Sequence, residues 1–374
     1  MKILQINKLY YPWIGGIEKV VQDIAEGVNG RSGFQVDVLA CQAKGRRRIG
    51  DVNGVKIYRA GSWGRVLGMP ISLDFFFLFL KICKEYDFIL IHHPFPLPFL
   101  IMPFIKNKNF FVWYHSDIVR QKKSKLFFLP FIKLGLHRSK KIIAANKNIT
   151  KGSNLLKSFD NKLEIIPFGL NTTKMKADAD SGRQALKLKE KYGPSLILGV
   201  GRLVYYKGWE FLIEAMARKE MKLLPKAKLL IIGQGPLEEK LKKLIKYFNL
   251  EDKVFIIEPV PDLRPFYEAC ELFVLPSVAI SEAFGLVQLE AMSFGKPVIN
   301  TDLETGVKEI SLNEISGLTV RPQNADALAK AIYRILSNPE LKARFGRQAK
   351  ERIEESFDNK TFIDKVIKVF ENKN

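Results

Sequence analysis

Apolar runs of strand length alternate with longer stretches of helical period from one end of the chain to the other. In residues 1–170 the runs are KILQIN, FQVDVLA, FILIHH, FFVWYH, KIIAAN and LEIIPFG, and residues 16–29 have the period of an amphipathic helix. Runs that stay apolar on both faces belong in parallel sheets covered by helices, so this rhythm predicts βα units. The polar stretch 171–182 (NTTKMKADADSG) has no apolar period and predicts an interdomain linker. A second series follows: SLILGVG, a helix from Trp209, AKLLIIGQG, a helix over 236–248, KVFIIE, a helix from Leu263, LFVLPS, a helix over 285–293, PVINTD and a helix after Asn324. Residues 359–374 have the period of one more amphipathic helix. The expected fold class is α/β, with two Rossmann-like doubly wound domains, 1–172 and 191–355, a linker over 173–190, and 356–374 as a terminal helix. Ligands are expected at the carboxyl ends of the strands and in a central cleft between the domains.

Composition fits this picture and removes others. The chain has 374 residues, 47% hydrophobic and 26% charged, which excludes a disordered or fibrous protein. Three widely spaced cysteines, Cys41, Cys83 and Cys270, form no CxxC pair and no cluster with histidine, so buried thiols in a reducing compartment are expected rather than disulfides or zinc. The apolar stretch 75–80 is ended by Lys81 and the stretch 91–105 is broken by four prolines, so neither supplies the ~20 apolar helical residues of a membrane span. The N-terminal segment lacks the apolar core of an export signal, and a cytoplasmic location is expected. Charge is uneven: residues 1–170 carry 27 Lys and Arg against 11 Asp and Glu, and the rest carry 33 against 28. The first half therefore presents a basic face to something anionic. The segment 121–141 (QKKSKLFFLPFIKLGLHRSKK) interleaves basic clusters with Phe, Leu and Ile, which suits a surface among lipid head groups. The alternatives are a core helix with solvated lysines, and a nucleic-acid-binding protein, for which no recognition module is visible.

Several strand ends carry candidate chemistry. Gly15 and Gly16 precede a helix, where backbone N–H groups can approach an anion or simply make a strand–helix turn. His115, Ser116 and Asp117 follow FFVWY. His115 can position a sugar or acceptor hydroxyl with Asp117 orienting its ring, or the pair can be a packed histidine and a helix cap. His92 and His93 stand at a similar strand end, with His93 a further acceptor-side candidate. In ILGVGRLVYYKGW, Gly201 and Arg202 follow a strand and Lys207 precedes a helix, two cations suited to a diphosphate. In SEAFGLVQLEAM, Glu282 and Glu290 are separated by seven residues and flank a helix start at Phe284, Gly285 and Leu286. Glu290 can accept both hydroxyls of a ribose, and the backbone of Gly285 and Leu286 can meet phosphate oxygens. Asp178 and Asp180 spell DAD in the expected linker, away from any strand end, and no metal site is expected.

Arg202 with Lys207, then SEAFGLVQLEAM and GKPVI, resemble the retaining glycosyltransferase family 4, group 1. The likeness extends through Gly15-Gly16 and His115 to the terminal helix, and WYHSDIV is most similar to bacterial and archaeal mannosyl- or rhamnosyltransferases of polysaccharide and lipid-linked oligosaccharide assembly. The chain departs at Glu258-Pro259, where many members carry a glycine. The resemblance implies a GT-B fold whose first domain takes the acceptor and whose second binds a nucleotide-sugar, GDP- or UDP-hexose, with mannose from GDP-mannose preferred. It implies that Arg202 and Lys207 bind the donor diphosphate, Glu290 the ribose, Glu282 the transferred sugar, and Gly16 the diphosphate on closure. It further implies that the terminal helix returns to the first domain, that no metal is required, and that no protein nucleophile acts. With the basic first half, the acceptor is expected to be a glycan or polyprenyl-linked molecule at the inner membrane face. A glycan phosphorylase would share the architecture but needs pyridoxal phosphate and a longer chain.

Overall fold

The computed structural model describes residues 1–371 except 14, 67, 107 and 119–121, with the backbone alone for 122–125. Contacts divide the chain into two compact units, one of Met1–Phe168 with the chain from Lys360 onward, the other Gly169–Asn359.

The first unit contains strands β1 (Lys2–Ile6), β2 (Gln35–Cys41), β3 (Arg48–Val52), β4 (Val55–Ala60), β5 (Arg65–Val66), β6 (Met69–Pro70), β7 (Phe88–His93), β8 (Asn109–Tyr114), β9 (Ser139–Ala144) and β10 (Leu163–Ile165). Eight of them form one sheet in the order β10-β9-β8-β7-β1-β2-β4-β3, parallel except for the pairing of β3 with β4. The central strands are buried on both faces, which is why they read as unbroken apolar runs. Strand order reverses beside β1, so the carboxyl ends of β1 and β7 flank a switch point where ligands of such sheets bind. Helix Gly16–Val28 buries Val20, Val21, Ile24, Ala25 and Val28 along one stripe. Helix Asn359–Glu371 seals the same unit: Phe370 packs 5.0 Å from Phe111 and 5.6 Å from Phe88, and Phe362 lies 5.9 Å from Trp113.

The second unit is an all-parallel sheet of β11 (Ser195–Val200), β12 (Ala227–Ile232), β13 (Val254–Ile257), β14 (Leu272–Val274), β15 (Val298–Thr301) and β16 (Gly317–Val320), ordered β13-β12-β11-β14-β15-β16. Its switch point lies between β11 and β14. Trp209, fully buried, centres the core beneath it with Ile197, Leu212, Leu229 and Val274.

Three features differ from the sequence expectation. The stretch expected as a linker over 173–190 contains helix Ala179–Tyr192, begun by Asp178, whose carboxylate accepts from the amides of Asp180 and Ser181 at 3.0 and 2.8 Å and pairs with Arg264 at 2.7 Å. Asp178 of the DAD motif is therefore a helix cap. Between β2 and β7, where no element is expected from the sequence, stand the β3–β4 hairpin and helix Leu73–Ile82. Helix Pro339–Ser356 was not anticipated as a separate element; its 18 residues bury only Phe345, Gly346, Ala349 and Ile353. The basic segment 121–141 holds helix Lys122–Arg138. Gln121 and the side chains of Lys122, Lys123 and Lys125 lie outside the described residues, while Ile132 and Leu136 are buried and Leu126 and Phe127 are 74% and 63% exposed. Among the described residues no helix is long and apolar enough to cross a membrane.

Candidate functional site

In the second unit the switch point gathers residues from both sides. Gly201 follows β11, its amide bonded to Ile232 O at 2.9 Å, and Arg202 comes next with its side chain exposed. The indole N–H of Trp209 donates to Arg202 O at 2.9 Å, which ties this turn to the core. The stem of Lys207 crosses over Gly201: a Cβ added there would stand 3.0 Å from Lys207 Cε. From the other side comes the loop after β14. Lys207 Nζ meets Glu282 Oε2 at 2.6 Å, and the Ser277 hydroxyl donates to the same oxygen at 3.1 Å. Both charged residues are only 8% exposed, so the pair is partly desolvated and its charges act strongly on whatever enters. Ser277 is itself held by the Thr301 hydroxyl, which donates to its carbonyl, and Val278 N bonds Tyr206 O at 2.8 Å. Lys207 and Glu282, predicted from separate motifs, are thus brought together; Ser277 and Thr301 were not anticipated, being single polar residues at the ends of apolar runs.

The second glutamate sits on helix Val287–Ser293, which begins just after Gly285 (φ 80°) and Leu286. Phe284 does not offer its ring to this turn: it is buried and packs on Phe357 at 6.3 Å, and its carbonyl accepts from Gln288 Nε2 at 3.5 Å. Glu290 Oε2 accepts from the Tyr267 hydroxyl at 2.8 Å. Tyr267 is fully buried, and burial followed by the Glu290 charge pushes its hydroxyl well above the usual range, so it stays a donor. The helix is anchored by a buried polar cluster: Asn300 Nδ2 donates to Gln288 Oε1, Val307 O and Ser311 O at 2.9, 3.0 and 3.1 Å. Gln288 inside VQLEAM is the one sequence signal for that anchor.

In the first unit, Gly16 opens helix Gly16–Val28 and Gly15, in extended conformation, caps it. The carboxylate of Glu18 folds over Gly15, where an added Cβ would stand 2.3 Å from Oε2, so the first turn already holds an acid. His115 follows β8 and is buried, as are His92 and His93 at the end of β7. Asp117 does not orient His115. Its Oδ1 accepts from the hydroxyls of Tyr114 and Ser153, the latter at 3.1 Å, while the His115 ring meets His92 Nδ1 at 2.9 Å. Strand geometry accounts for this, because His92 lies on the neighbouring strand and Asp117 is two residues further along the irregular segment after β8.

Residues 181–352 match the family described as "Glycosyl transferases group 1", and residues 14–174 match "Glycosyltransferase Family 4". The O-antigen chain mannosyltransferase C of Escherichia coli is 29% identical over 373 residues, covering 99% of this chain and 98% of its own. The D-rhamnosyltransferase WbpZ of Pseudomonas aeruginosa is 28% identical over 362 residues, covering 96% and 92%. Among solved structures, Anabaena HepE in complex with UDP-glucose is similar with a TM-score of 0.81 at 20% identity, covering 99% of each chain. That likeness shows the fold, two Rossmann-like units of the GT-B kind. With both halves of the sequence matched in order, and with relatives that align from end to end, the chain belongs to the group 1 glycosyltransferases.

Proposed function

We propose that this glycosyltransferase is a retaining hexosyltransferase that moves mannose from GDP-mannose to a lipid-linked or polysaccharide acceptor at the cytoplasmic membrane face. The observation that carries the reading is the Lys207–Glu282 pair at the switch point of the second unit. Lys207 and Arg202 offer positive charge to a diphosphate that gains negative charge as its sugar leaves, which supplies without a metal the stabilisation that lowers such barriers. Glu282 holds Lys207 in place and contacts the transferred sugar. The carboxylate of Glu290, turned by Tyr267, takes the ribose hydroxyls, and the backbone of Gly285 and Leu286 takes phosphate oxygens. On the first unit, His115 meets a sugar hydroxyl. The acceptor attacks from the face the diphosphate leaves, and a departing phosphate oxygen receives its proton, so anomeric configuration is kept without a protein nucleophile. The sugar is preferred on the likeness to the E. coli mannosyltransferase. Membrane contact is supported by the basic first half and by the exposed Leu126 and Phe127.

Sugar transfer assayed with GDP-mannose and with UDP-glucose tests the donor directly. Lys207→Ala and Glu290→Ala should each reduce turnover at least about tenfold, one by removing a charge from the leaving diphosphate and the other by freeing the ribose. Activity within about twofold of the parent in both variants would overturn the site, and turnover with UDP-glucose alone would replace the donor.

A further inference from the structure

Three side chains in the first unit form a hydrogen-bonded line. Gln5 in β1, His92 in β7 and His115 just past β8 sit on adjacent strands, because β7 lies between β1 and β8. Gln5 Oε1 stands 2.9 Å from His92 Nε2, and His92 Nδ1 stands 2.9 Å from His115 Nε2. All three are buried. Both rings lie nearly parallel to aromatic neighbours: His92 stacks on Trp113 at 9° and His115 on Phe168 at 24°, while His92 and His115, 17° apart, lie side by side along their hydrogen bond. Neither imidazole can turn over without breaking both a stack and a hydrogen bond.

The chemistry of the end group sets the direction of the line. An amide oxygen only accepts, so the proton of a neutral His92 is on Nε2 and its Nδ1 is bare. A bare nitrogen also only accepts, so the proton of His115 is on Nε2 and its Nδ1 carries a free lone pair. Burial keeps the rings neutral: it pushes His92 down to about 3, and it lowers His115 well below the ordinary range, with the neighbouring imidazoles adding to the effect.

We propose that Gln5 and His92 are positioning residues that fix His115 as a hydrogen-bond acceptor at Nδ1, so that the substrate group it receives is a sugar hydroxyl donating its proton. This rests on the placing of His115 against substrate in the reading above. It makes His115 an acceptor and orienting group in the reaction, with no proton of its own to give at Nδ1.

Because the chain has four histidines, the tautomers can be read directly. In the full-length protein labelled with ¹⁵N in histidine alone, long-range ¹H–¹⁵N correlation between about pH 6 and pH 8 should show His92 and His115 each with a protonated Nε2 and a bare Nδ1. His92→Phe and His115→Gln assign the signals. A protonated Nδ1 on His115, which requires the Gln5 amide turned over to donate, overturns the proposal, as does an even mixture of tautomers. In the second arm, Gln5→Leu and His92→Phe keep the volume and the stack but break the line. Transfer kcat should fall at least about fivefold with donor KM within about twofold, and Gln5→Leu should show mixed His115 tautomers. Unchanged kcat with disturbed tautomers overturns the positioning role. Parental activity in His115→Ala overturns the placing of His115 itself while leaving the tautomer result standing. Should either variant melt well below the parent, the wild-type spectrum alone decides the tautomer.

Discussion

Lys207 and Glu282 hold each other in a place where neither is stable alone. Removing one charge of a pair this buried leaves the other without water or counter-ion, at a cost of about 3–5 kcal/mol, whereas removing both together costs far less. Glu282→Gln and Lys207→Met should therefore each lower stability in urea unfolding by a few kcal/mol, and the double variant should recover much of the loss while remaining inactive. Equal stability of all three variants would show that solvent screens the pair. The buried imidazoles act on stability through pH. His92 and His115 stay neutral in the folded chain but take up protons near pH 6.5 once unfolded, so the unfolded state binds more protons below that pH. Stability should be fully present above about pH 6.5 and decline as pH falls below it toward about 3, where His92 would be protonated in the folded chain as well, and His92→Phe should flatten that decline in thermal melts.

At the level of elements, the site depends on a turn that comes very close to its neighbour. Gly208, at φ 67°, separates the Lys207 turn from helix Trp209–Met216, and an added Cβ would stand 2.2 Å from Pro276 O. Gly208→Ala must push the turn away from the loop after β14, breaking the Val278–Tyr206 bond and moving Lys207 from Glu282. It should cost on the order of 1–3 kcal/mol and abolish transfer even though no substrate contact is removed, which melting curves and a donor assay would report together. Most strands of both sheets were legible as apolar runs, and the helices at Gly16, Trp209 and Ala325 because their stripes are regular; β16 was not, being four residues that open on a glycine and are only half-buried at their end. The β3–β4 hairpin was not, since β3 is almost wholly exposed and no apolar run marks it. Its only signal is the Asn53-Gly54 pair, whose φ values of 54° and 79° make the two-residue turn. Helix Ala179–Tyr192 was hidden by lysines along a face that buries only Ser181 and Ala185. In the site, Arg202, Lys207, Glu282 and Glu290 could be named from motif spacing. Tyr267, Ser277 and Gln5 could not, because they act through contacts between strands and helices distant in sequence.

For the whole molecule, the charge imbalance between the halves has its counterpart in the exposed apolar tips of helix Lys122–Arg138. A surface that is both basic and apolar binds acidic bilayers by charge first and by burial of side chains second. The protein should float with liposomes containing acidic lipid, less so in high salt, and Leu126→Asp with Phe127→Asp should keep it at the bottom of the gradient while donor binding is unchanged. Equal flotation of variant and parent would place the membrane-facing surface elsewhere. A soluble acceptor becomes the better reading if neither floats.

The last helix raises a question of order in time. Because Asn359–Glu371 packs on Trp113, Phe88 and Phe111, the first unit is interrupted in sequence by the whole of the second. On a ribosome adding roughly 5–20 residues per second, about 190 residues must be made between Phe168 and the segment that covers this aromatic face. For on the order of ten seconds or more, then, the half of the chain that emerges first waits with its core open, and the half that emerges second is the first able to finish folding.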